Sequence, residues 1–186
     1  AFDDEVVRAM AKWPDVPQCF GWLSLDVRGL WRIHGDVIQH PRAQAFLSRH
    51  YRADERGRWY VQNGPQQVFV DLDYTPWIYR WQPDQTFTTH TGMAARDLLA
   101  VFQDDDGNLL LRTSLGIGLL DDRDLASCEC LIECDDDDVP RALLWREHVL
   151  ALTSVARAEV AARLGFEPRR RRAARHGSLF LAPSPP

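Results

Sequence analysis

The chain has 186 residues, of which 45% are hydrophobic and 26% are charged, a composition typical of a globular protein with one large domain or two small ones. The net charge of −5 at pH 7 argues against a protein that coats nucleic acid over its whole surface. No run approaches the roughly 18 apolar residues that span a bilayer, and the acidic start AFDDEVVRAM lacks the apolar core of a secretory signal, so we expect a cytoplasmic protein.

The first quarter of the chain predicts two helices with short strands between them. Asp3 or Asp4 can cap a first helix that ends before Pro14. Residues 21–38 carry apolar residues on either side of glycine turns and predict two short strands. Pro41 fits the first turn of a second helix, PRAQAFLSRHYR, where its missing N–H costs nothing.

The stretch Arg56–Trp81 carries the densest strand signal in the chain. Val68, Val70 and Leu72 alternate with polar residues, as in a strand with one face buried and one face in water. Turn residues break the alternation at residues 63–65 and again at residues 74–76. The pattern predicts three antiparallel strands in meander order.

A similar pattern returns after a candidate boundary at residues 82–84. An acidic turn that ends in Gly107 leads into strands broken by Gly116 and Gly118, much as Gly57 leads into the central meander. We therefore expect an internal duplication. The predicted domains are residues 1–82, residues 83–165, and a basic, proline-containing tail at residues 166–186.

The last third of the chain predicts a strand and then a long helix. Residues 127–134 alternate as a strand. Asp138 fits a helix N-cap and Gly165 fits the position after the last turn, which indicates one helix between them. The predicted fold class is α+β, with two similar small antiparallel-meander subdomains, flanking helices and a long C-terminal helix.

Two clusters of metal-ligand residue types have structural explanations. Cys128, Cys130 and Cys134, with Cys19 as a fourth ligand, suggest zinc, but their even spacing places them on one face of a strand, where free cysteine packs as a small hydrophobe. Residues 104–108, DDDGN, lack the spacing of a calcium loop and fit a hairpin turn. We therefore predict no metal site.

The sequence nominates no catalytic residue and no cofactor. The six histidines never occur as HxH or HxxxH, and no serine lies in a GxSxG context. No phosphate-binding loop of the Walker type is present, and residues 115–118 are too short for a dinucleotide fingerprint. An enzyme is not excluded, but no residues stand out to perform its chemistry.

Aromatic residues on the predicted strands are more numerous than two small sheets need for their inner faces. If some of them line a groove between the halves, arginines on the same strands could anchor an anion. The alternative is that these aromatic residues form the core. The predicted ligand-binding set is Trp31, Arg32, Arg58, Trp77, Tyr79 and Arg80.

Residues 28–81 resemble an uncharacterised bacterial (proteobacterial) family known only as a domain of unknown function. The segments that carry the resemblance are RGLWRIHGDVI and PRAQAFLSRHYRADERGRWYVQNGPQQVFVDLDYTPW. The resemblance implies a two-part α+β protein with similar halves and a ligand-binding or signalling role. It implies no catalytic residues.

Three functions remain open from the sequence. The first is a cytoplasmic ligand-binding or regulatory module with a small molecule or protein partner in a groove between the halves. The second is a metal-dependent, hydrolase-like enzyme that uses the acidic patches. The third is binding of nucleic acid or an acidic partner through the tail around Arg169 and Arg175, although we do not expect nucleic acid or a membrane as the main partner. The oligomeric state is left open.

Overall fold

The computed structural model describes residues 4, 7, 8, 18–129 and 131–168, and this part of the chain is mostly β-structure. It forms two mixed sheets of six and nine strands, with three short α-helices among the described residues. The α+β prediction is therefore wrong. No helix in this part of the chain is long and apolar enough to cross a membrane.

The first sheet contains the strands before residue 73 and has the order β3-β2-β1-β6-β5-β4. One helix, α1, connects β3 to β4. The strands are β1 Cys19–Leu25, β2 Trp31–Ile33, β3 Asp36–Val37, β4 Tyr51–Ala53, β5 Trp59–Asn63 and β6 Gln66–Leu72, and α1 is Pro41–His50.

The second sheet has the order β13-β14-β15-β10-β11-β12-β7-β8-β9. Two short helices, α2 Leu125–Glu129 and α3 Val160–Leu164, accompany it. The strands are β7 Trp77–Trp81, β8 Phe87–Thr89, β9 Ala94–Ala95, β10 Ala100–Asp104, β11 Leu109–Thr113, β12 Gly116–Leu120, β13 Ile132–Cys134, β14 Pro140–Trp145 and β15 His148–Val155.

The same six-strand arrangement occurs in both sheets. Strands β1 to β6 pair in the same order as β7 to β12, and in each set the first strand lies parallel to the sixth. The second sheet then continues through β15, which pairs in parallel with β10. An origin by duplication stays a prediction, and so does the domain boundary between residues 82 and 83. The chain passes from the first sheet to the second between β6 and β7.

The central stretch Arg56–Trp81 does not form the predicted meander. Strands β5 and β6 are an antiparallel pair, but β7 leaves for the second sheet and lies between β12 and β8. Strand β6 takes β1 as its other neighbour, in parallel. Alternation in a sequence reports which face of a strand is buried, not which strand lies beside it, and the prediction failed for this reason.

The long C-terminal helix is also wrong, because the same residues form the hairpin of β14 and β15. Leu144 and Val149, both within the predicted helix, are cross-strand partners in this hairpin. Asp138 lies at φ 59° in a turn rather than at a helix N-cap. A short helix, α3, does end at Gly165 in the left-handed conformation, as the sequence predicts.

The strand predicted at residues 127–134 is replaced by α2 and β13. Cys128 is buried in α2, whereas Cys134 is exposed on β13. Cys130, the arginine tail and most of the predicted first helix lie outside the described residues. Helix α1 begins at Pro41, as the sequence predicts.

Four hairpins share one five-residue turn that begins with an aspartate. In residues 26–30, 54–58, 104–108 and 135–139, one carboxylate oxygen of the aspartate accepts the N–H groups two and four residues further on. The fourth residue of each turn has φ between 59° and 82°. The other carboxylate oxygen binds an arginine in every case: Arg32, Arg58, Arg157 and Arg141.

An aromatic cluster joins the inner faces of the two sheets. Tyr51 and Trp59 of the first sheet meet Trp77 of the second, with ring centroids 5.3 and 5.0 Å from that of Trp77. The Tyr51 hydroxyl donates to the Pro76 carbonyl at 2.9 Å, which ties β4 to the connection between the sheets. Trp31 and His90 pack against the same rings. We call the cluster of Trp31, Tyr51, Trp59, Trp77 and His90 the seam.

Candidate functional site

An open cleft of about 610 Å³ lies beside the seam and is lined by both halves of the molecule. The first half contributes residues 28–31 at the start of β2 and one face of α1. The second half contributes Ile78 and Arg80 of β7, residues 89–91 after β8, and two residues after β12, Asp121 and Arg123. Volumes of this order are typical of small-molecule sites.

The sequence of α1 explains how it can form a cleft wall. Phe46, Leu47 and His50 face the core, with His50 fully buried. Pro41, Gln44, Ala45, Ser48 and Arg49 follow the i, i+3, i+4, i+7 and i+8 spacing of the adjoining face and line the cleft. The side-chain hydroxyl of Ser48 accepts the Trp31 indole N–H at 3.3 Å, which attaches this face to the seam.

His90 lies where the seam meets the cleft. Its ring is 5.5 to 5.6 Å from the rings of Trp31, Tyr51 and Trp77. Burial in these surroundings lowers its pKa to about 3, so the imidazole is neutral at pH 7. Nδ1 accepts the Ile78 N–H at 3.4 Å, which leaves the ring proton on Nε2, and Nε2 has no hydrogen-bond partner among the described residues.

Gly29 allows the β1–β2 turn to lie against His90. A β-carbon at position 29 would be 2.4 Å from the His90 Cβ, well inside van der Waals contact. The glycine also has φ +78°, which other residues rarely adopt. The absence of a side chain therefore brings the turn of the first sheet directly over the second sheet, and the neighbouring Arg28 is carried to the cleft.

Three of the arginines in the cleft wall are held by carboxylates from one short segment, residues 121–124. Arg28 donates to Asp122 at 2.8 Å, and Arg80 donates through Nε and Nη2 to Asp124 at 2.6 and 3.1 Å. Arg123 donates through the same two atoms to Asp121 at 2.7 and 2.6 Å. The Arg28–Asp122 pair connects the first half of the molecule to the second.

Asp121 fixes the position of Arg123 from a fully buried carboxylate. Burial acts to raise the pKa of Asp121, but the hydrogen bonds from the guanidinium and backbone N–H of Arg123 outweigh it and hold the pKa at about 2. The Asp121 N–H in turn donates to the Tyr79 carbonyl of β7 at 2.9 Å. The pair is therefore ionised at pH 7 and anchored to the second sheet.

Of the six residues in the predicted ligand-binding set, Trp31 and Arg80 line this cleft. Trp77 and Tyr79 are buried, and their polar atoms are hydrogen-bonded to the β11–β12 turn. Arg32 binds Asp26 in its own hairpin. Arg58 binds Asp54 and borders a different depression, on the β4–β5 hairpin. A ligand-binding role for the set stays a prediction.

Sequence reasoning missed Arg28, Arg123, His90 and the polar face of α1. Arg28 depends on a contact with Asp122, 94 positions away in the chain, and the local pair of Arg123 with Asp121 gives no sign in the sequence that it borders a cleft. His90 has no histidine neighbour to mark it. The one available signal was the helical spacing of small and polar residues from Pro41 to Arg49.

A second cluster of charges lies at the β10–β11 turn and borders a depression of about 460 Å³. The Tyr74 hydroxyl donates to Asp104 at 2.5 Å, and the Arg157 guanidinium lies 3.9 Å from the Tyr74 ring centroid. Burial, and then this bond to a carboxylate, raise the pKa of Tyr74. Among the described residues no group of three or more His, Cys, Asp or Glu is arranged to hold a metal ion.

The fold and the cleft define a class of mostly β proteins in which a six-strand arrangement occurs twice and a small-molecule-sized cleft opens beside the junction. A family model described as "Protein of unknown function (DUF2946)" matches residues 2–170, and the chain belongs to that family. The resemblance to an uncharacterised family is thereby confirmed. No curated protein matches the chain.

Two crystal structures are similar to this chain. A DUF1285 family protein from Silicibacter pomeroyi matches with a TM-score of 0.55 and 19% identity, over 83% of this chain and 97% of that chain. A DUF1285 family protein from Shewanella baltica matches with a TM-score of 0.44 and 12% identity, over 56% of this chain and 87% of that chain. The first of these indicates a shared fold.

Proposed function

We propose that the protein is a ligand-binding or regulatory module that holds a small molecule in the cleft beside the seam. The observation that carries the proposal is the cleft itself, which both halves line and which has the volume of a small-molecule site. Polar side chains of three kinds surround it: guanidinium groups, hydroxyls of Ser48 and Thr91, and the amide of Gln44.

His90 supports the same proposal. Its ring lines the cleft, and its buried Nε2 has no acceptor among the described residues, which costs about 1–3 kcal/mol and marks this wall of the cleft as a place built for more than packing. Because a ligand in this position contacts both sheets, it stabilises one arrangement of the halves, which gives the module a regulatory output. A cytoplasmic location is part of the proposal.

The test is thermal unfolding of the full chain with a panel of small molecules: inorganic phosphate, pyrophosphate, AMP, citrate, adenosine and glucose. Binding to the native state raises Tm by an amount that grows with the logarithm of ligand concentration over Kd. We expect at least one compound to raise Tm by several degrees. Ala45→Trp, which places an indole in the cleft from an exposed position on α1, is expected to abolish the rise.

Arg42→Trp is the matched control, because Arg42 is exposed on the same helix but does not line the cleft. This variant should keep the rise in Tm. The proposal is contradicted if no compound in the panel raises Tm, or if the rise survives Ala45→Trp.

A further inference from the structure

Arginines outnumber acidic residues among the residues that line the cleft. Arg28, Arg49, Arg80 and Arg123 line it, and Asp121 is the one acidic residue among the described residues that do so. Asp122 and Asp124, which hold Arg28 and Arg80, lie outside the lining. Two of the three carboxylates that hold Arg28, Arg80 and Arg123 therefore pair with them from outside the lining.

We infer that the ligand of this cleft carries a phosphate group, and that Arg28, Arg80 and Arg123 bind it. The inference rests on the proposed function, since it names the chemical class of the molecule in the same site. Each of the three arginines comes from a different element: the β1–β2 turn, strand β7 and the segment after β12.

The arginines are held in place and still have donors to spare. A guanidinium has five N–H donors, and the bonds to Asp124 and Asp121 use the Nε and one Nη of Arg80 and of Arg123. Arg28 uses a single Nη2 on Asp122. The side chain of Arg80 is 40% exposed, that of Arg123 is 50% exposed and that of Arg28 is 56% exposed. N–H groups that the aspartates do not use are therefore available to a ligand.

A phosphate group fits this arrangement better than a single carboxylate does. A phosphate monoester carries a charge of about −1.5 to −2 at pH 7 and offers three terminal oxygens, whereas a carboxylate offers one charge and two oxygens. Guanidinium groups suit phosphate oxygens because their planar fork can donate two parallel bonds. Three forks match three oxygens, and the fixed carboxylates reduce the conformational entropy lost on binding.

Asp122 competes with the ligand for the Arg28 guanidinium. Its pair with Arg28 is the most exposed of the three, with both side chains 56% exposed, and such pairs contribute little to stability. A phosphate in the cleft replaces this carboxylate as the partner of Arg28. Asp122 is therefore a competitor of the ligand, and its charge sets how tightly the cleft binds phosphate.

The first test is calorimetric titration of the full chain with AMP and with adenosine, at low ionic strength and again at 0.15 M salt. We expect AMP to bind, adenosine to bind at least tenfold more weakly, and added salt to weaken AMP binding. Arg80→Ala should weaken AMP binding about tenfold to a hundredfold, the usual effect of losing a hydrogen bond to a charged group.

Arg141→Ala is the matched control. Arg141 is also an exposed arginine paired with an aspartate, Asp135, but it lies on β14 and does not line the cleft. This variant should bind AMP like the unchanged protein. Equal losses in Arg80→Ala and Arg141→Ala would overturn the inference, because the effect would then come from net charge alone.

Asp122→Asn gives the sharpest outcome, because a purely structural role predicts the opposite sign. Removing the competing charge frees Arg28, and affinity for AMP and for inorganic phosphate should increase severalfold. Unchanged or weaker binding contradicts the inference. One combination of results separates the two proposals. If adenosine or glucose raises Tm and Ala45→Trp abolishes that rise, the proposed function stands. If the phosphate compounds do not bind in the same experiments, the phosphate assignment fails.

Discussion

Gly29 and His90 lie in close contact across the two halves of the molecule. The glycine brings the β1–β2 turn against the histidine, and the histidine in turn packs among three aromatic rings of the seam. No sequence pattern marks either residue, because a glycine in a turn and a single histidine are both common. Their importance comes from a contact between residues 61 positions apart, which no local pattern reports.

Gly29→Ala is expected to destabilise the protein more than Gly107→Ala. Both glycines occupy the fourth position of the same kind of turn, with φ +78° and +82°, so both variants carry the cost of about 1–2 kcal/mol for a left-handed alanine. At position 107 nothing lies within 4 Å of the new β-carbon, whereas at position 29 it collides with His90. The collision should add about 1–3 kcal/mol.

Urea unfolding of both variants measures this difference. The free energy of unfolding should fall by about 1–3 kcal/mol more in Gly29→Ala than in Gly107→Ala. Equal losses in the free energy of unfolding would show that the β1–β2 turn can move away from His90 without cost. The close approach of Gly29 to His90 would then contribute nothing to stability.

The five-residue aspartate turn occurs in four hairpins of the described chain. Its carboxylate replaces a missing backbone acceptor for two N–H groups, and the arginine on the other oxygen keeps the aspartate ionised and in position. Asp104 is the most deeply buried of the four turn aspartates, and its second carboxylate oxygen binds both Tyr74 and Arg157. This turn therefore links β10 and β11 to the connection between the sheets.

Asp104→Ala is expected to destabilise the protein by about 3 kcal/mol, since it leaves the buried Tyr74 hydroxyl and two N–H groups of the turn without their acceptor. Asp135→Ala removes the same turn bonds at an exposed hairpin, where water can replace them, and its effect should be clearly smaller. Chemical unfolding of the two variants compares them. A similar loss in both would mean that the turn, and not the buried cluster, determines the cost.

Elements with a local signal could be predicted from the sequence, and the others could not. Pro41 marks the start of α1, and the glycine-containing acidic turn at residues 104–108 marks a hairpin; both are present. The β14–β15 hairpin was mistaken for a helix because its two-residue turn, Arg146 and Glu147, contains no glycine or asparagine, although Arg146 has φ 55°. Its apolar residues fit a helical stripe and a strand alternation equally well.

At the scale of the whole molecule, strand pairing was the information that the sequence did not contain. The parallel neighbours β1 and β6 are separated in the chain by α1 and four strands, and β7 and β12 are also separated by four strands, without a helix. The cleft depends on this pairing, because it brings residues 28–31, α1 and residues 121–123 to one side of the seam. The residues of the site could be guessed singly, but their assembly could not.

A fragment of residues 1–82 is expected not to fold by itself. It would expose Trp31, Tyr51 and Trp59 on the inner face of the first sheet, and it would contain β7 without its neighbours β8 and β12. We expect the full chain to unfold in one cooperative thermal transition and the fragment to show none, by circular dichroism. A cooperative transition in the fragment would instead support an independent domain with the boundary predicted at residue 82.

The end of the described chain returns to the sheet with which it began. The Leu72 N–H of β6 donates to the Pro168 carbonyl at 2.7 Å, and the Glu167 N–H donates to the Gly57 carbonyl at 2.9 Å. Phe166 is buried with the same core. During synthesis, at about 5–20 residues per second, β6 must wait roughly 5–20 s for this partner. The first sheet is thus made early but completed late, because these two hydrogen bonds form only after residues 167 and 168 have been synthesised.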